Sequence, residues 1–264
     1  MKTLLGALAL SIATLVLPSA ADAGATLERV LKEKKLVVGV ATWNKFVALN
    51  PLTNKYEGFI ADDILNMEAA TGIKVEFVNT SWGGLIAGLQ AGKWDIIMTG
   101  MGATPERATA VAFSEPYGFI SATAMLKADN PAKTREDLDK PGNIISTVAG
   151  TSQQKFSQRV FKNAKVVGYP DTAAAVLEVM QGRATAYMGD SVSNANREKE
   201  RPKEVRNLIF TDTEWNSLNH AVRYEDLDLL TFVNTYIRTM KLRGWYKELA
   251  TKWELPPELA TGPN

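Results

Sequence analysis

The sequence has no cysteine and a single histidine, His220. No disulfide, thiolate nucleophile or cysteine-bound zinc is available, and neither a two-histidine metal motif nor HExxH can be written. Metal hydrolysis and thiol chemistry are excluded, and no cofactor is implied. GxSxG is absent as well, which leaves His220 without the nucleophile elbow of a serine hydrolase. An excess of one charge is also missing: 30 Lys and Arg stand against 29 Asp and Glu in 264 residues, a formal net charge of +1. With no block of like charges, neither a nucleic acid nor an anionic membrane surface has an electrostatic footprint to recognise.

The long apolar run that does occur is N-terminal. Lys2 supplies a short positive segment, residues 4–17 are apolar or small, Pro18 ends the run, and Ala21-Asp22-Ala23 offers an A-x-A cleavage site. The run falls short of the roughly 20 residues a membrane-spanning helix requires. It predicts a signal peptide, 1–23, cleaved after Ala23, and the lack of cysteine predicts that no lipid anchor is attached there.

Hydrophobic periodicity then sets out the organisation. Residues 26–34 predict a short amphipathic helix, and the apolar, β-branched run 35–41 a buried, central strand. A helix over 58–72 closes on Gly72, a strand follows over 74–78, a second helix over 82–91, and a third strand over 94–98. This βαβαβ order belongs to a parallel α/β sheet. The same order restarts with strands at 144–148, 165–168 and 185–188 and helices at 151–163 and 172–181. Two such units predict two lobes. The C-terminal third predicts helices over 225–242 and 245–253, stopped by Pro256-Pro257.

Open parallel sheets bind ligands beyond the carboxyl ends of their strands. At that edge of the first unit lies Thr99-Gly100-Met101-Gly102, followed by Thr104-Pro105-Glu106-Arg107, which predicts a helix start with Arg107 in its first turn. Glycines admit close backbone approach, a helix start offers free N–H groups, and the arginine fork matches a carboxylate. Arg107 is therefore either half of an anion clamp or a solvated helix residue. In the second unit Gly150-Thr151-Ser152-Gln153 forms another strand-to-helix step, and Asp190 ends a strand, as a ligand or as the cap of a following helix. Together, a cation with N–H donors on one lobe and a carboxylate on the other suit a zwitterion such as an α-amino acid. Trp43 and Trp82 lie on the same edge, as aromatic walls or as core, and Lys45, Asn194, Asn219 and His220 are further wall candidates.

The ordered motifs Gly58-Phe59, Ser81-Trp82 to Gln90, Trp94-Asp95, Thr104 to Arg107, Phe113 to Tyr117, Gly150 to Gln153 and Gly189-Asp190 resemble the family 3 bacterial extracellular solute-binding proteins, the polar amino-acid receptors of ABC importers. The resemblance covers nearly the whole chain after residue 23. It implies an α/β, two-lobed periplasmic-binding-protein fold (type II), each lobe a mostly parallel sheet flanked by helices, with two hinge crossings near 117–124 and 217–222. The lobes would be 24–120 with 219–264, and 121–218. It also implies a periplasmic, monomeric receptor with an amino acid as ligand and an inner-membrane ABC permease as partner. By resemblance Arg107, with the N–H groups of Gly102 and Ser152 and with Thr151 alongside, holds the ligand's α-carboxylate. The Gly100 carbonyl and Asp190 hold its α-ammonium, and Trp82 is the aromatic wall. Receptors for basic or amide side chains often place an Asp just after the first strand, where this chain has Ala41, which favours neutral or acidic ligands over basic ones. The loop 42–56 is atypical, so Trp43 has no matched role.

A second resemblance, through Leu27 to Leu31, Thr80 to Trp82, Gly150-Thr151 with Lys155-Phe156, and Tyr169-Pro170-Asp171, is to the periplasmic cyclohexadienyl dehydratases. Those enzymes look to carry a glutamate general acid within a turn after the Asp190 position. Here that turn reads Ser191-Val192-Ser193-Asn194 and the first acid is Glu198. The expectation is a receptor and not an enzyme, unless Glu178, Glu198 or Glu214 reaches the cleft.

Overall fold

A computed structural model of the chain describes residues 24–256 and 258–261; the expected signal peptide, 1–23, lies outside the described residues. The first helix, Ala25–Glu33 (α1), ends on left-handed Lys34, φ 54°, which turns the chain into Lys35–Val40 (β1). A hairpin follows, Ala48–Asn50 (β2) with Lys55–Glu57 (β3), inside the loop that no motif matched. Then come Phe59–Thr71 (α2), Lys74–Asn79 (β4), Leu85–Gln90 (α3) and Ile96–Met101 (β5). Strand β1 pairs in parallel with β4 on one side and β5 on the other, the interior position its unbroken apolar run predicts.

Strand β5 starts and ends later than periodicity suggests, because Trp94 and Asp95 do other things. The Trp94 ring fills the space that a Cβ on Gly39 or Gly88 would need, 2.6 and 1.9 Å from it. The Asp95 carboxylate accepts the N–H of Val37 at 2.9 Å and pairs with Arg29. The strand itself runs through Thr99 and Gly100, which carries both onto the binding edge.

Ala112–Phe113 (β6) leads to the long strand Gly118–Lys127 (β7). The second lobe continues with Arg135–Leu138 (α4), Ile144–Val148 (β8), Ser152–Val160 (α5), Lys165–Tyr169 (β9), Thr172–Met180 (α6), Ala186–Asp190 (β10), Ser191–Glu200 (α7) and Val205–Leu208 (β11). Strand β8 is parallel to β9 and β10, whereas β7 runs antiparallel to β10 and β11. Trp215–Val222 (β12) returns to the first lobe, and Leu227–Leu242 (α8), Trp245–Lys252 (α9) and Glu258–Thr261 (α10) complete it.

Strands β7 and β12 join the lobes by changing partners along their length. Gly118 to Ser121 pair with Leu218 to Trp215; from Ala122 onward β7 pairs with β10, while β12 from Asn219 onward pairs with β5 and β6. The result is one sheet in the order β4-β1-β5-β12-β7-β10-β8-β9.

Each lobe has its own apolar centre. In the first, Val38, Val40, Ile96 and Met98 pack with Ile60 and Ile64 of α2 and Leu229, Val233 and Ile237 of α8; in the second, Leu126, Ile145, Phe156 and Met188 are buried together. Each such side chain contributes about 1.5–3 kcal/mol by leaving water. Within the first core α2 also carries a buried carboxyl. Asp63 accepts from Tyr236 Oη and Trp245 Nε1, each at 2.9 Å, and burial pushes its pKa up to about 7 against the lowering effect of these donors.

Candidate functional site

Between the lobes lies a cavity of about 870 Å³, at the upper end of the size range of small-molecule sites. The first lobe lines it with Ala41 to Asn44 after β1, Asn79 to Trp82 at and beyond the end of β4, and Gly100 and Gly102 at the end of β5. The second lobe contributes Thr151, Ser152 and Gln153 at the start of α5, Asp171 after β9, and Tyr187 to Asp190 of β10 with Arg197 of α7. Ile120, Asn216 and Ser217 close the floor from the crossing strands. These are carboxyl ends of parallel strands, where open α/β sheets hold ligands.

The structure thus brings Trp43, Trp82, Gly100, Gly102, Thr151, Ser152 and Asp190 to one cavity. Thr151 caps α5, its hydroxyl accepting the Gln154 N–H at 3.1 Å, so Ser152 stands in the first turn, where N–H groups lack helical partners. Both readings of Asp190 hold at once. Oδ1 accepts the Ser193 N–H at 2.7 Å as the cap of α7, and Oδ2 accepts from the Trp43 indole Nε1 at 3.1 Å across the cleft. Trp43 stacks on Phe46, 3.8 Å between centroids at 17°, and stands edge-on to Trp82 at 6.2 Å.

Arg107 differs from the expectation in two ways. Thr104-Pro105 does not begin an α-helix: Arg107–Thr109 is a single 3₁₀ turn, because the chain is drawn at once into β6, whose Ala112 and Phe113 pair with Val222 and Ala221. The side chain is also absent from the cavity wall. It lies behind Gly102, 8% exposed, with Nη1 donating to the Gly102 carbonyl and Nη2 to the Gly150 carbonyl, each at 2.9 Å. Burial pushes its pKa down, opposed by the exposed Glu106. Among the described residues no carboxylate forms an ion pair with it, so a buried cation stands behind this end of the cavity with the exposed Glu106 acting on it only from a distance.

The lobes are in contact around the cavity. The backbones of Gly83 and Gly150 approach so closely that a Cβ on Gly150 would lie 3.2 Å from Gly83 Cα. Lys155 reaches Glu106 at 3.9 Å, Lys199 reaches Glu254 at 3.0 Å, and Lys45 donates to Asn196 Oδ1 at 3.4 Å. This is a closed arrangement.

Four expected wall residues lie elsewhere. Lys45 takes the contact just described, and its left-handed backbone, φ 63°, belongs to the turn before the hairpin. Asn194 is buried with its amide on Thr123, and Asn219 donates to the Ser114 carbonyl. His220 is fully buried against Tyr117, 4.6 Å between centroids, with neither ring nitrogen hydrogen-bonded; desolvation pushes its pKa down to about 3. Glu178, Glu198 and Glu214 do not line the cavity, and Glu178 and Glu214 are ion-paired with Arg183 and Arg159. Conversely, Gln153, Asp171, Tyr187 and Arg197 line it without having been singled out as site residues. Arg197 was within reach of sequence reasoning, since a residue seven positions after a helix cap returns to the same face.

Two α/β lobes joined by two crossing strands, with a polar cleft at their strand ends, define a solute-binding protein. Residues 36–256 match the bacterial extracellular solute-binding proteins, family 3, and the chain belongs to that family. A probable amino-acid ABC transporter-binding protein of Haemophilus influenzae is 27% identical over 259 residues, covering 96% of this chain and 97% of its own length. The ABC transporter arginine-binding protein 1 of Escherichia coli is 30% identical over 224 residues, covering 83% of this chain and 90% of its own. The crystal structure of the ancestral amino acid-binding protein AncCDT-1, a precursor of cyclohexadienyl dehydratase, superposes with a TM-score of 0.80 at 36% identity, over 86% of this chain and 99% of that one. The fold is the type II periplasmic-binding-protein fold. Among the described residues no helix is long and apolar enough to cross a membrane.

Proposed function

We propose that the protein is a periplasmic receptor that closes its lobes over one L-α-amino acid and delivers it to an ABC permease in the inner membrane. The observation that carries this reading is the pair of opposite charges at the cavity: the buried Arg107 guanidinium, without a carboxylate partner, behind Gly102, and the Asp190 carboxylate on the opposite lobe. A zwitterion supplies both missing counter-charges. Its α-carboxylate would meet the Gly102 and Ser152 N–H groups, with the Arg107 charge behind them, and its α-ammonium would meet Asp190 and the Gly100 carbonyl. Because these contacts come from both lobes, the ligand favours the closed state.

Neutral or acidic side chains suit the cavity better than basic ones. Ala41 lines it where receptors for basic or amide ligands often carry an acid, and Arg197 adds a cation. The lobe boundaries that follow are 24–120 with 219–264, and 121–218. The chain would be exported by a signal peptide cleaved after Ala23 and would act as a monomer without a lipid anchor. The dehydratase reading needs a general acid at the ligand. The wall carboxylates are Asp171 and Asp190, and each of them caps a helix, α6 and α7.

The test is thermal unfolding of the mature protein, refolded to strip carried-over ligand, with each of the twenty L-amino acids and with prephenate. A ligand bound only by the folded state at a hundredfold excess over Kd adds about 2.7 kcal/mol of stability, a midpoint rise of several degrees. One or a few amino acids should give that shift. No amino-acid shift, with prephenate converted to phenylpyruvate, overturns the proposal.

A further inference from the structure

Resting on that receptor reading, we infer that Arg197 reads a second carboxylate, at the side-chain end of the bound amino acid, and that the ligand is therefore a dicarboxylic amino acid. Arg197 is the arginine that lines the cavity itself. It is half-buried, and its partners are neutral: Nη1 donates to Asn194 Oδ1 at 3.2 Å, and the guanidinium lies 5.6 Å from the centre of the Tyr187 ring. Among the described residues no acid forms an ion pair with it. Of the two acids on that lobe's wall, Asp190 caps α7, and Asp171 is exposed and spends Oδ1 on the Ala174 N–H as the cap of α6.

The guanidinium is also held in place. Asn194 is fully buried and fixed by two donations from its amide to Thr123, at 3.1 Å each, so its Oδ1 is a stationary acceptor. Tyr187 is buried in β10 and supplies a rigid face. With one of five N–H donors engaged, most of the fork stays free for a planar anion.

Asp190 caps the helix that carries Arg197. Seven residues along α7 return to the same face about 10 Å further on, and helical side chains lean toward the N-terminus, which brings the guanidinium back toward Asp190. An amino acid whose ammonium lies at Asp190 thus projects its side chain along α7 toward Arg197. A carboxylate there meets a poised cation. A guanidinium or ammonium there meets like charge.

Arg197 stands in the last turn of α7, where any cation is favoured by the helix dipole. The test therefore reads selectivity rather than stability. Titration calorimetry of the refolded mature protein would compare L-glutamate with L-glutamine, L-aspartate with L-asparagine, L-arginine, and prephenate, on wild type, Arg197→Gln and Arg197→Lys, each checked for an unchanged far-ultraviolet circular dichroism spectrum. The expected result is at least tenfold tighter binding of one dicarboxylic acid than of its amide. Arg197→Gln should abolish that ratio with less than a threefold change for the amide, and Arg197→Lys should keep part of it. Equal or tighter binding of the amide, or a ratio untouched by Arg197→Gln, overturns the assignment and leaves the receptor reading standing. Tight binding of prephenate alone, lost in Arg197→Gln, supports the second-carboxylate role and overturns the amino-acid ligand. Binding of none of these compounds overturns both.

Discussion

The indole nitrogen of Trp43 stands 3.1 Å from Asp190 Oδ2 and 3.0 Å from Ser193 Oγ, so a residue just after the first strand of one lobe closes directly on the helix cap of the other. A hydrogen bond to a charged acceptor contributes about 1.5–3 kcal/mol net when both groups are desolvated. Trp43→Phe keeps the stack on Phe46 and deletes the donor. The ligand-free protein should shift toward the open form, with the closed population falling roughly tenfold for a loss of about 1.4 kcal/mol. Small-angle X-ray scattering should show a larger radius of gyration without ligand.

Gly150 and Gly83 meet across the same cleft but differ as substitution sites. Gly150 has φ +79°, and an added Cβ would press on Gly83 Cα at 3.2 Å, whereas an added Cβ on Gly83 meets nothing within 4 Å. Gly150→Ala should therefore weaken ligand binding by tenfold or more, through about 1–2 kcal/mol of left-handed backbone strain and obstruction of closure. Gly83→Ala should bind nearly as wild type. Calorimetry on the pair distinguishes a closure contact from general loop damage.

Arg107 joins the lobes through the Gly102 and Gly150 carbonyls. Arg107→Ala should reduce affinity by a hundredfold or more, since it removes the cation proposed for the ligand's carboxylate and leaves two carbonyls to find new donors. Arg107→Lys keeps charge without the fork and should fall between. Near-native affinity in Arg107→Ala would remove this residue from the site.

Asp63 and His220 give the fold opposing pH responses. The carboxyl rises from 3.8 to about 7 in the folded state, so the native protein holds a proton the unfolded chain has lost, and the stability tied to it falls as pH rises through that interval. The imidazole falls from 6.5 to about 3, so there the unfolded chain holds the extra proton and the stability tied to it rises with pH. Between roughly pH 4 and 6.5 the two slopes, each about 1.4 kcal/mol per pH unit, nearly cancel. Relative to wild type, Asp63→Asn should gain stability as pH rises across this window, and His220→Phe, which keeps a ring against Tyr117, should lose it. Urea denaturation at several pH values reads both differences, because the background from other groups is common to all three proteins.

Local grammar made much of this legible. The unbroken run of β1, the helix closed by Gly72 and the two βαβαβ units follow from period and punctuation, which short-range sterics and burial impose. The crossing strands were less visible. Strands β7 and β12 exchange partners midway, and no local period announces a change of neighbour. The Thr104-Pro105 helix start failed for the same kind of reason: good N-terminal residues lost to the pairing of β6 with β12, a contact between segments over a hundred residues apart in sequence.

Residue type and spacing alone limit the available chemistries: no thiol, no paired histidines, balanced charge, and glycine, arginine and aspartate at strand ends. What each group faces is set by the folded chain. It put His220 in the core without a partner, turned Arg107 onto two carbonyls behind the wall, and brought Arg197 to the cavity, since burial and counter-charge are properties of a residue's neighbours in space, and those neighbours come from distant parts of the chain.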